Sequence, residues 1–129
     1  MRNNETSADN QQERFIKEGW IVGFVDGEGY FGISINKNPK TKFGYQILPE
    51  FVVTQGAKSL SSLELIRDYF NCGRIFVNNR HDNHREPLYR YCVRNLTELS
   101  TIVIPFFKKY PLQTAKQADF QRFSKVVEQ

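Results

Sequence analysis

Gly19, Gly23 and Gly27 recur every four residues inside a stretch that otherwise has the makings of a buried helix. From Phe15 to Val25 the apolar positions Phe15, Ile16, Trp20, Ile21, Val22, Phe24 and Val25 predict a helix buried on most sides. At that spacing the three glycines share one helix face. A glycine in a helix interior costs up to ~1 kcal/mol against alanine, so three on one face imply close approach of a second backbone. The stretch ends in Asp26-Gly27-Glu28-Gly29, where two glycines should stop the helix. Two acids then sit at its C-terminal end, where the helix dipole disfavours negative charge. A nearby cation explains them, and carboxylate oxygens suit a divalent one; solvated turn residues are the plainer alternative.

The rest of the chain constrains the class. At 129 residues there is room for one domain, read as a flexible tail over 1–14 and a single domain over 15–129. No apolar run approaches the ~20 residues of a membrane helix, and the polar start Met1-Arg2-Asn3-Asn4-Glu5 shows no secretory signal. Cys72 and Cys92 form no CxxC pair, so reduced thiols in an intracellular compartment are expected, in a bacterial cytoplasm or an organelle. Lys and Arg total 18 against 14 Asp and Glu, and the excess is unevenly placed. Residues 1–29 carry net −3, whereas 30–58, 72–95 and 105–129 each carry net +3. Blocks of positive charge suit a polyanion.

Patterning fills in the elements. Residues 30–37 and 45–54 alternate, with Phe31, Ile33, Ile35, Ile47, Phe51 and Val53 expected on the core face of a hairpin. Ser61-Ser62-Leu63-Glu64 reads as a capping box before a helix with Leu63, Ile66 and Tyr69/Phe70 on its stripe. Residues 74–79 and 87–94 form a second hairpin around the loop Arg80-His81-Asp82-Asn83-His84-Arg85-Glu86. Asn95 caps a third helix with Leu96, Leu99, Ile102 and Val103, which Pro105 should kink or end. A last helix spans about Thr114 to Val127. The order helix–hairpin–helix–hairpin–helix is an α+β pattern. His81 and His84 could hold zinc, although a solvated or phosphate-contacting loop explains them more simply, and no P-loop or dinucleotide fingerprint is present.

Ile21-Val22-Gly23-Phe24-Val25-Asp26-Gly27-Glu28-Gly29 resembles the LAGLIDADG motif of homing endonucleases. Both motif glycines and both acids are in place, with Glu28 at the second acid and Gly27 where the name has Ala. The segments FVVTQ, SLELIRDYF and PLQTAKQADF also fall where that family has them, so the resemblance covers about residues 15–127. It implies the homing-endonuclease fold, with an antiparallel four-stranded DNA-binding sheet. With one motif per chain it implies a homodimer packed through the motif helices, through Gly19, Trp20, Gly23, Phe24, Asp26 and Gly27. Carried over by position, Glu28 would bind the metal with the Gly27 carbonyl, and Asp26 would be more structural. Gln55 would line the solvent pocket at the scissile phosphate. Lys116 would be the basic catalytic residue, with Lys108, Lys109 or Thr114 as alternatives. The implied cofactor is Mg2+, with Mn2+ or Ca2+ substituting for binding, and no small-molecule cofactor or membrane is implied.

Under the same resemblance, the polar faces of the hairpins meet double-stranded DNA. Ser34, Asn36, Gln46, Leu48, Glu50 and Val52 are the candidates in the first hairpin. In the second they are Arg74, Phe76, Asn78, Arg90 and Arg94, with Arg80 and Arg85 in its loop. A β-ribbon fits the major groove, where Arg reads guanine and Asn or Gln reads adenine. Lys37, Lys40 and Lys42 are placed to meet phosphates, and Asn38 beside them is a further DNA-binding candidate. The expected activity is metal-assisted hydrolysis of both strands at a long, pseudo-palindromic site; an intron-splicing maturase or a non-catalytic DNA-binding protein of the same fold are the alternatives.

Overall fold

Large apolar residues on one side of two hairpins and on four helical segments build the core. The computed structural model describes residues 2–78 and 86–129, with side chains from residue 10 onward. Helix α1 (Arg2–Glu28) leads directly into strand β1 (Gly29–Lys37), which pairs with β2 (Tyr45–Gly56). A short 3-10 turn, Ala57–Ser59, precedes α2 (Leu60–Phe70), followed by β3 (Arg74–Asn78) and β4 (Leu88–Val93). Then come α3 (Leu96–Glu98), a π turn over Leu99–Val103, α4 (Ile104–Lys109) and α5 (Lys116–Val127). The strands form one antiparallel sheet in the order β1-β2-β4-β3, so the hairpins join through their inner strands.

Helices cover one face of this sheet. Phe51, fully buried, meets the rings of Phe31, Phe70, Tyr91 and Phe107 at centroid separations of 5.1–6.2 Å. Phe31 also touches Phe120 and Phe123 of α5, at 5.3 Å each. The centre of the core is therefore a linked set of aromatic rings, with Phe31 and Phe51 stacked and most of their neighbours edge-on. Truncating it at Phe51→Ala is expected to cost about 3–5 kcal/mol, read as a lower midpoint in urea unfolding. Glu18 is buried as well, but its carboxylate accepts from the Tyr69 hydroxyl and, at 2.8 Å, from the Tyr110 hydroxyl. That pairing ties α1 to α2 and to the end of α4. Burial, reinforced by the carboxylate, pushes the Tyr69 hydroxyl pKa well up.

Several expectations are corrected. The segment read as a tail is helical from Arg2; it holds no glycine or proline before Gly19 to stop a helix, and its acids suit an N-terminus. At the other end α1 stops at Glu28, within the Asp26-Gly27-Glu28-Gly29 stretch where the sequence placed its end. It is buried on one side only, since Phe15, Ile16 and Trp20 are 56%, 68% and 40% exposed. Ile33, Ile35 and Ile47 are also exposed, because the far half of the first hairpin extends past the helices that would cover it. The capping box does not form: α2 begins at Leu60, ahead of Ser61, and the cap residue Ser59 makes no side-chain bond. Instead the Ala57 and Lys58 amides donate to the Pro87 carbonyl and the Glu86 carboxylate. Asn95 does cap its helix, accepting from the Glu98 amide at 3.0 Å, although Leu96 beside it stays exposed. Pro105 does not end the rod; the π turn just before it has the Ile104 amide bonded five residues back to Leu99, a widening that accommodates a residue with no amide to offer. The loop carrying Arg80, His81, His84 and Arg85 lies outside the described residues.

Candidate active site and nucleic-acid interface

The passage from α1 to β1 has no loop. A Cβ at Gly29 would lie 2.6 Å from a Val25 methyl and 2.9 Å from the Val25 carbonyl oxygen, so the turn from helix into strand is open only to glycine. Gly27 and Glu28 are consequently exposed at the surface. Among the described residues Glu28 makes no hydrogen bond or ion pair. β2 brings Gln55 alongside, two residues beyond the Gly29↔Val53 pair and half-buried.

The segment before α5 closes the same end of α1. Asp26 accepts from the Gln113 amide at 2.7 Å, the Thr114 amide at 3.1 Å and the Thr114 hydroxyl at 2.6 Å. The Thr114 Oγ1 accepts in turn from the Lys116 amide at 3.2 Å, and the Lys116 Nζ donates to the Val25 carbonyl at 3.1 Å. An ammonium on the last carbonyls of α1 is where the helix dipole favours positive charge. Lys116, rather than Lys108 or Lys109, therefore stands at the acid pair; Lys108 is paired with Glu128 at 2.6 Å. Asp26, expected against a second chain, has its carboxylate engaged within its own. Thr114, named above as an alternative to Lys116, stands between Asp26 and Lys116, a link that nothing in its sequence context marks.

Burial would raise the Asp26 pKa, but the Thr114 hydroxyl, the two amides and the Lys116 charge outweigh it and hold the carboxyl below its ordinary 3.8. A depressed carboxylate stabilises the fold fully above its unfolded pKa and loses that contribution as pH falls through the lowered one. The stability difference between wild type and Asp26→Asn should thus be constant above about pH 5 and shrink below about pH 4, measured by urea unfolding across that range. A difference independent of pH would show that the charge is not what holds the segment.

Can this end of the helix hold a cation? Among the described residues no group of three or more His, Cys, Asp or Glu is placed to hold a metal ion. A cation at Glu28 would take one carboxylate and the neighbouring Gly27 carbonyl from this chain, and its other oxygens from elsewhere. An exposed, unpaired carboxylate beside a carbonyl of the last helical turn fits a hard, oxygen-seeking ion.

On the sheet face away from the helices, the register aligns Ser34 with Leu48, Asn36 with Gln46, Phe76 with Arg90 and Arg74 with Cys92. Asn78, opposite Leu88, continues this face. Arg74, Phe76, Asn78, Ser34, Asn36, Gln46 and Leu48 are exposed and Arg90 is half-exposed. Val52 is not available there: it is 4% exposed, held in the second strand between Tyr30 and Cys92. Glu50 is engaged within the chain, by Arg94 Nε at 2.8 Å and Arg90 Nη2 at 3.9 Å. At the hairpin tip Asn38 orders the turn, its amide donating to the Gly44 carbonyl and its Oδ1 accepting from the Lys40 amide. Gly44 takes φ +77°, which glycine adopts without strain. Lys37, Lys40 and Lys42 are exposed around that turn. The face is thus basic, polar and ribbon-shaped. No helix among the described residues is long and apolar enough to cross a membrane.

Comparison with known proteins gives a consistent answer. The family model "LAGLIDADG endonuclease" matches residues 21–127. A probable intron-encoded endonuclease 2 of Neurospora crassa is 35% identical over 114 residues, which are 87% of this chain and 24% of the relative. The chain therefore spans about a quarter of that relative's length. The solved structure of a homing endonuclease, I-TnaI, superposes with a TM-score of 0.74 at 38% identity, over 85% of this chain and 70% of that one. The meganuclease I-SmaMI, solved bound to uncleaveable DNA, gives a TM-score of 0.78 at 31% identity over 85% of this chain and 36% of its own.

Proposed function

Because the chain belongs to the LAGLIDADG endonuclease family, we propose that it is a site-specific DNA endonuclease that works as a homodimer on a long, pseudo-palindromic duplex. The observation that carries this reading is the C-terminal end of α1. There an exposed, unpaired Glu28 stands beside Gln55 and Lys116, next to a sheet face rich in arginine. A purely structural acid at a helix C-terminus would be expected to find a cation within the chain; Glu28 finds none among the described residues.

In the proposed reaction Glu28 and the Gly27 carbonyl would hold Mg2+, which when bound would supply Lewis-acid polarisation of the scissile phosphate and a lowered pKa for a nearby water. Gln55 orders the water through its amide, and Lys116 offsets the negative charge that develops on phosphate oxygens. Asp26 and Thr114 keep Lys116 at its station. The sheet holds the duplex, with the tip lysines on phosphates and the arginines on base edges.

These residues offer one such acid, whereas a double-strand break needs two reaction centres. The glycine stripe supplies the second copy: a Cβ added at Gly19, Gly23 or Gly27 would meet nothing within 4 Å, and Ile16 and Trp20 lie exposed along the same face. The decisive experiment selects duplexes from a randomised library in Ca2+, then offers the enriched site in a plasmid with Mg2+. Cutting of both strands at that site is expected. Tight, selective binding with no cutting in Mg2+ or Mn2+ would replace the nuclease by a DNA-binding protein.

A further inference from the structure

An acid on a surface meant for a polyanion needs a reason. Glu50 is the only acidic residue among the strand positions aligned on the reading face, and its side chain is 20% exposed. Continuing the β2–β4 register past the Phe51↔Val93 pair sets it opposite Arg94. Arg94 donates to it through Nε at 2.8 Å, and the Arg94 guanidinium carbon lies 5.6 Å from the centre of the Phe76 ring. Arg90 approaches the other carboxylate oxygen at 3.9 Å. The Arg94 side chain is thus held at Nε by a carboxylate and along one side by an aromatic ring. Its bond to Glu50 uses Nε, leaving the terminal nitrogens as a two-donor edge. That edge matches the O6 and N7 acceptors of guanine in the major groove.

We infer that Glu50 is a positioning residue for specificity: it reads no base itself, but orients Arg94 against Phe76 so that one base pair in each half-site must be guanine on the strand Arg94 faces. The inference rests on the DNA-reading role proposed above. Stability is a poor explanation for the cluster, because the Arg94 side chain is 55% exposed and a pair with so solvated a partner contributes little to folding. A free arginine on a four-bond stem samples many rotamers and reads several bases weakly. One held at Nε presents a single edge, and rigidity of the reader is what turns affinity into discrimination. Glu50 also lowers the net charge of the face, so it sacrifices some attraction for phosphate to gain selectivity.

The test is a binding selection in Ca2+ from a randomised duplex library, run with the wild-type chain, Arg94→Ala, Glu50→Ala and the double variant. Thermal unfolding of each confirms an intact fold. Wild type should show a guanine preference of about tenfold or more at one position per half-site, and Arg94→Ala should abolish it there. Glu50→Ala should reduce the preference at that same position to under about threefold and leave every other position unchanged. In the Arg94→Ala background Glu50→Ala should change nothing further. Full guanine preference in Glu50→Ala overturns the inference, as does an equal loss at all positions, which would mark a general disturbance of the sheet. A wild-type chain that enriches sequences with no Arg94-dependent guanine overturns it while leaving DNA recognition standing. No enrichment at all overturns both.

Discussion

Glu28→Gln is expected to bind its target as well as the wild-type chain and to cut it slower by on the order of a thousandfold. The substitution keeps shape and volume and removes one charge. Glu28 is exposed and makes no bond or ion pair among the described residues, so its loss should move folding stability by no more than about 0.5 kcal/mol. An amide oxygen is a far poorer ligand for a hard cation than a carboxylate. The whole effect should therefore appear in the cleavage step. Gel-shift titration in Ca2+ and single-turnover cutting in Mg2+ separate the two quantities. Wild-type cutting rates from the variant would remove Glu28 from the reaction.

The second large effect separates assembly from folding. In Gly23→Leu the added Cβ meets nothing within 4 Å, and replacing a helical glycine should stabilise the single chain, by up to ~1 kcal/mol. The same side chain stands between Gly19 and Gly27 on the open stripe and would hold a second α1 away. The expected outcome is a chain that melts at an equal or higher temperature, sediments as one copy, and no longer breaks both strands. A substitution that lost activity through misfolding would lower the melting temperature, so the sign of the thermal shift is informative. A Gly23→Leu chain that still forms dimers and cuts duplex DNA would place the dimer contact elsewhere.

Local chemistry made much of this legible. The four-residue glycine spacing, the Asn95 cap and the alternation through Phe51 and Val53 each depend on near neighbours, and each is present in the structure. Ile33, Ile35 and Ile47 were misleading because alternation reports which face a residue takes, not whether any helix reaches far enough to cover it. Val52 misled in the opposite way: on an inner strand, neighbours on both sides bury a residue that faces away from the core. The C-terminal end of α1 was legible at Glu28, where a motif carries it and the structure leaves it exposed. The links from Asp26 to Thr114 and from Lys116 to Val25 span about ninety residues of chain and leave no periodic trace. The same holds for Glu18, whose hydroxyl partners Tyr69 and Tyr110 lie far along the chain.

The glycine-only junction at Gly29 has a mechanical meaning. With no loop between α1 and β1, the helix and the reading sheet cannot swing independently. In a pair of chains joined along the stripe, the approach distance of the two helices would act as a ruler, setting how far apart the two Glu28 carboxylates stand and hence the stagger between the two nicks. A longer spacer between half-sites would not be met by bending at this joint. The length of the single-stranded overhang would then be a property of the protein, the same at every site it accepts.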